Sequence, residues 1–117
     1  MPNKKLLSLN STLKSHFDCV KGIYFVPNDH ILVSGAEDGM LKIWNVDNRR
    51  LSDMIEPIRT IRAHRHPILT IAGGNSQNDR LIYTAGVEGD IKVWNIPELS
   101  ILKATNNYIE NLLVGTW

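Results

Sequence analysis

The sequence predicts an all-β chain made of two similar four-stranded antiparallel units, and three observations carry that expectation. One stretch of residues occurs twice, the apolar runs are strand-length and bounded by turn residues, and β-branched residues far outnumber alanine. Ile, Val and Thr number 13, 7 and 6 against five Ala, a balance suited to pleated surfaces rather than helices. A chain of 117 residues is long enough for one domain core. With 43% hydrophobic and 21% charged residues, a disordered bulk is excluded.

The repeat organises everything else. Gly39-Met40-Leu41-Lys42-Ile43-Trp44-Asn45-Val46 aligns with Gly89-Asp90-Ile91-Lys92-Val93-Trp94-Asn95-Ile96, an offset of 50. Leu32-Val33-Ser34 matches Ile82-Tyr83-Thr84 at the same offset, and Leu13-Lys14-Ser15-His16 matches Ile61-Arg62-Ala63-His64 at 48. The two extra residues fall between His64 and Ile82, where the run from Gly73 to Asp79 can lengthen as a turn.

Each copy reads as four strands. Val20 to Phe25 and Ile68 to Ala72 are first strands, short and apolar. Ile31-Leu32-Val33 and Leu81-Ile82-Tyr83 follow after the polar turns Pro27-Asn28-Asp29 and Asn78-Asp79. Asp38-Gly39 and Glu88-Gly89 then place a glycine where a tight hairpin needs one, ahead of third strands containing Trp44 and Trp94. A fourth strand fits Pro57 to Ile61, after the polar linker Asp47 to Glu56. Four strands in about 48 residues make one propeller blade.

A His, three strands, a Ser or Thr, an Asp-Gly turn and a closing Trp-Asn, twice over in one order, resembles the WD-repeat β-propeller family. The match covers about residues 11–97. It divides the chain into a first repeat at 11–62, a second at 63–97 and a partial segment, 98–117, leading towards a third. Leu13 to Asp18, Glu37 to Asn45, Glu56 to His64 and the ending Leu113-Val114-Gly115 further resemble the carboxy-terminal propeller of the striatin family. The expected fold is therefore a propeller fragment of about two four-stranded blades plus the start of a third.

That resemblance implies a hydrogen-bonded tetrad in each blade. It maps onto His16, Ser34, Asp38 and Trp44 in the first repeat and onto His64, Thr84, Glu88 and Trp94 in the second. An indole N–H donates, a hydroxyl and an imidazole do both, and a carboxylate accepts, so the chain satisfies each group in turn. Glu88 carries one methylene more than the family's aspartate, so the second tetrad is expected to be weaker or broken.

The same residues bear on chemistry as well. On a strand, His64 and His66 would face one side, but no cysteine or carboxylate cluster completes a metal set beside them, and His30 stands alone in a turn. Asp38 has neither a second carboxylate nor a nucleophile motif, and Gly35 and Gly73-Gly74 lack phosphate-loop spacing. The expectation is no catalytic, metal or cofactor site. Trp44 and Trp94 fall in phase with the strand cores, which makes them packing residues rather than exposed anchors. Arg49-Arg50-Leu51-Ser52 matches the pattern of basophilic kinases and makes Ser52 a candidate phosphorylation site in the linker.

A formal charge of +1 offers no basic surface for a phosphate backbone, which excludes nucleic acid as a partner. The single cysteine, Cys19, fits a reducing compartment. No apolar run approaches the roughly 18 residues of a membrane span, and Leu6 to Asn10 is too short for a signal peptide. The chain reads as cytoplasmic. The striatin resemblance implies a non-catalytic scaffold joining protein phosphatase 2A, Ste20-type kinases and Mob-like adaptors. The family's amino-terminal coiled coil carries the phosphatase contact, and no heptad repeat occurs in this sequence. A peptide-binding or ubiquitin-pathway adaptor, or a truncated non-functional fragment, is the alternative. Two blades would leave two open faces of roughly 320 Å² each, forgoing on the order of 8 kcal/mol of burial apiece.

Overall fold

A computed structural model describes residues 7, 9, 11–47, 56–74, 78–104 and 113–117. Eight strands and one short helix follow in order. They are β1 (Val20–Val26), β2 (Ile31–Ala36), β3 (Met40–Asn45), β4 (Arg59–Arg62), β5 (Ile68–Gly73), β6 (Leu81–Gly86), β7 (Ile91–Asn95), α1 (Leu99–Ala104) and β8 (Leu113–Thr116). They form two four-stranded sheets, β1-β2-β3-β4 and β5-β6-β7-β8, with every pairing antiparallel.

The repeat seen in the sequence is a repeat of register. Ser34 stands opposite Lys42 and Leu32 opposite Trp44 in the first sheet. In the second, Thr84 faces Lys92 and Ile82 faces Trp94. A bulge interrupts each first strand at the same place, between Val20 and Gly22 and between Ile68 and Thr70. The hairpin glycines Gly39 and Gly89 have φ of +80° and +93°, a left-handed conformation that side chains disfavour.

The sheets stack face to face. Val33, Leu41 and Ile43 of the first sheet are fully buried beneath Ile68 of the second. Contact is close because two positions lack a side chain. A Cβ at Gly22 would lie 2.9 Å from the Ile71 backbone nitrogen, and one at Gly35 would lie 2.9 Å from the Ile71 side chain. Tyr24 lies over Gly73 and donates its hydroxyl to the Asp79 carbonyl at 2.8 Å. Polar contacts fasten the rim, where Arg80 reaches Asp29 at 2.8 Å.

Residues 98–117 supply α1 and the fourth strand of the second sheet. Leu113–Thr116 pairs with β7, so this strand completes the second sheet. The open edge of β7 is the physical reason, since its unpaired amides and carbonyls need a ladder partner. The helix α1 had no counterpart in the strand reading. It buries Leu102 in the core, receives an Arg59 hydrogen bond on the Leu102 carbonyl at 3.0 Å, and donates the Leu99 amide to Asp29 at 2.9 Å.

Candidate functional site

The chemically versatile side chains gather at one edge of each sheet. In the first, His16 lies on the segment entering β1, Ser34 on β2, Asp38 in the β2–β3 turn and Trp44 on β3. The Trp44 indole donates to Ser34 Oγ at 2.9 Å, and Ser34 Oγ lies 2.7 Å from His16 Nε2. His16 Nδ1 lies 3.0 Å from Asp38 Oδ2. The acceptor-only carboxylate of Asp38 fixes the direction at the other end. It requires a proton on His16 Nδ1, while Ser34 Oγ accepts from the indole and bridges it to His16 Nε2.

Asp38 also accepts the backbone N–H groups of Phe17 at 3.0 Å and Met40 at 2.9 Å. Burial opposes its charge, but these two amides and then the His16 hydrogen bond and charge together hold its pKa below the ordinary value. The His16 and Asp38 side chains are 4% and 7% exposed, so little of the pair is open to solvent.

The second edge repeats this arrangement with one exchange. Trp94 donates to Thr84 Oγ1 at 2.9 Å, and Thr84 Oγ1 lies 2.8 Å from His64 Nε2. The carboxylate on His64 Nδ1 is that of Asp90, at 3.2 Å. Glu88, expected in that place, instead forms an exposed ion pair with His66. The place expected for Glu88 is thus taken by a different carboxylate, which completes the chain but lies farther from its histidine, 3.2 Å against 3.0 Å, and is more exposed, 34% against 7%.

Steric room explains the exchange. A Cβ at Gly86 would lie 2.6 Å from both Asp90 Oδ1 and His64 Nδ1, so only glycine admits this carboxylate. The matching position in the first sheet is Ala36, and there residue 40 is Met. Gly86 and Asp90 together replace Ala36 and Asp38. The pair of differences was visible in the aligned repeats; what it meant was not. Burial pushes the His64 pKa below its usual value, Asp90 opposes that and Lys92 reinforces it.

The remaining sequence candidates lie apart. Residues 63–67 are not a strand, and His64 turns inward while His66 stays in solvent. His30 sits in the β1–β2 turn with φ +52°, and its carbonyl accepts the Val46 amide at 2.8 Å. Among the described residues no group of three His, Cys, Asp or Glu could hold a metal ion. No described helix is long and apolar enough to cross a membrane. Trp44 and Trp94 are buried. Ser52, with Arg49 and Arg50, lies outside the described residues.

Comparison with known proteins agrees with this architecture. The family model for the WD domain, G-beta repeat, matches residues 7–45 and 55–95. Striatin-3 of Homo sapiens is 37% identical over 110 residues, covering 90% of this chain and 13% of the relative. The striatin homolog of Dictyostelium discoideum is 36% identical over 99 residues, covering 77% of this chain and 12% of its own. This chain thus spans about an eighth of the curated relatives it matches. The crystal structure of Chaetomium thermophilum Sqt1, solved with the N-terminus of ribosomal protein L10, superposes with a TM-score of 0.64 at 19% identity. That superposition covers 94% of this chain and 25% of Sqt1, and at this identity it speaks for the fold alone. Two sheets with one register, two closed hydrogen-bond chains and a family model matched on both repeats lead to one conclusion: the chain belongs to the WD-repeat family, with striatins among its relatives.

Proposed function

We propose that this chain is part of a non-catalytic protein-interaction scaffold of the striatin kind. The observation that carries the reading is how its reactive side chains are used. Both buried histidines, both hydroxyls and both carboxylates are taken up in the two chains ending on Trp44 and Trp94. Each group already has a partner, and in the small recess that His64 and Asp90 line with His66, Glu88 and Lys92 the histidine and the carboxylate are already bonded to each other. What the molecule offers a partner is shape and surface.

The finer reading, supported by the likeness to striatins, is a place in an assembly of phosphatase 2A with Ste20-type kinases and Mob-like adaptors. Affinity purification of the intact polypeptide from its own cells, followed by mass spectrometry, tests it. Recovery of phosphatase 2A subunits together with a Ste20-type kinase is the expected result. Reproducible recovery of other proteins without either enzyme would overturn it. Ser52 is proposed as a phosphorylation site on its Arg-Arg-x-Ser context. Treatment with a basophilic kinase should modify Ser52, and labelling confined to other serines would contradict the assignment.

A further inference from the structure

The two sheets share one backbone pattern, so side chains at equivalent positions can be compared directly. In both, the turn after the second strand is tied to the segment entering the first. The Glu37 amide donates to the Cys19 carbonyl at 2.8 Å, and the Val87 amide donates to the Pro67 carbonyl at 3.0 Å. Val20 stands opposite Ala36, and Ile68 opposite Gly86. This register places Leu69 and Val87 where the first sheet has Lys21 and Glu37. Lys21 and Glu37 form an ion pair at 3.8 Å. Leu69 and Val87 are both apolar, 48% and 53% exposed.

Stacking does not remove that exposure. The first sheet has the second packed on it, and the Lys21 and Glu37 side chains are still 38% and 41% exposed. The position belongs to the solvent rim of a stacked sheet, whatever lies beyond the second one.

The polar groups beside the rim differ in the same sense. In the first sheet the Phe17 amide donates to Asp38 at 3.0 Å. The equivalent residue in the second is Arg65, and the Asp90 carboxylate accepts, among the described residues, from His64 alone. Neither the amide nor the guanidinium of Arg65 has a partner among the described residues. Arg65 and Val87 line one small recess with His66, Glu88, Asp90 and Lys92. Both carboxylates there are already held, Glu88 by His66 and Asp90 by His64. The Lys92 ammonium is turned to the Ala63 carbonyl at 2.8 Å. Arg65 is thus an unpaired cation among these residues, with a free backbone donor of its own.

We propose that this rim docks an acidic, aliphatic segment of a partner protein. An aliphatic side chain would cover Leu69 and Val87, and a neighbouring carboxylate would take the Arg65 guanidinium and amide in charge-assisted hydrogen bonds. A basic segment would meet Arg65 and Lys92, while both carboxylates keep their histidines. The first rim offers no such site, because its ion pair and its Phe17 amide are satisfied internally. The inference rests on the scaffold reading and names the chemistry of one partner contact.

Selection of a random phage-displayed peptide library on the intact polypeptide, with counter-selection on Leu69→Lys combined with Val87→Glu, tests this. The double variant carries the ion pair of the first rim, which this backbone already accommodates. The expected survivors join Asp or Glu to Leu, Ile or Val. In fluorescence anisotropy their synthetic copies should bind the double variant at least about tenfold more weakly than the wild type. Arg65→Gln should weaken binding about fivefold. Should the double variant lose its sheet signal in circular dichroism, Arg65→Gln replaces it in the counter-selection and decides. No surviving peptide, survivors that are basic or lack an acid, or unchanged binding by Arg65→Gln would each overturn the site. The scaffold reading stands or falls separately, on the partners recovered by purification.

Discussion

At the scale of single residues, two groups of fixed role set the logic of each chain. The indole can only donate and the carboxylate only accept, so the imidazole turns its Nδ1–H to the carboxylate and the hydroxyl bridges the indole and Nε2. Asp38→Ala strands the His16 Nδ1–H and the amides of Phe17 and Met40, and should cost about 1–3 kcal/mol. In the second repeat the structure relocates the sensitive position. Asp90→Ala should cost a comparable amount, while Glu88→Ala, at an exposed ion pair, should stay within about 0.5 kcal/mol. Urea unfolding of the three variants checks the ranking, and a Glu88 loss exceeding that of Asp90 would contradict it. The histidine, hydroxyl and tryptophan of both chains were legible from the repeat, because those positions align residue for residue. The carboxylate was legible only in the first. Its relocation depends on the space that Gly86 leaves, which is a packing fact and not a spacing fact.

At the scale of elements, the hairpins show how one sequence position acquires two energetic roles. Gly39 and Gly89 occupy the same turn with similar φ. A Cβ on Gly39 would come within 2.4 Å of the His64 carbonyl oxygen, whereas one on Gly89 would meet open space. Gly89→Ala should therefore cost only the backbone strain, about 1–2 kcal/mol. Gly39→Ala should add roughly 1–3 kcal/mol of overpacking. Equal losses in chemical denaturation would mean that the segment after β4 does not close over the first hairpin. Strand positions and the two hairpins were readable from apolar runs and turn residues. The helix α1 and the pairing of β8 were not. The helix is held by Leu102 and by hydrogen bonds to Asp29 and Arg59, residues distant in sequence. A four-residue strand carries too little periodicity to announce its partner.

At the scale of the whole molecule, the two blades titrate as parts of one fold. His64 has its pKa lowered chiefly by burial, so the unfolded chain takes up that proton more readily. Its stabilising contribution is complete above about pH 6.5 and is lost as the pH falls towards the folded value. Asp38 also has a lowered pKa, and its contribution is complete above about pH 4 and lost below that. Urea midpoints should thus decline from pH 7 towards pH 5 and decline again below pH 4. A midpoint that rises between pH 7 and pH 5 would contradict the burial of neutral His64. The central claim is that His16, His64 and the carboxylates beside them are held in two structural hydrogen-bond chains. Long-range proton–nitrogen NMR correlation of the histidine rings at pH 7.5 tests it most directly. The account predicts that His16 and His64 both carry a proton on Nδ1, the nitrogen that donates to Asp38 and Asp90. A ring protonated on Nε2 alone, or tautomer-averaged, at either position would contradict it.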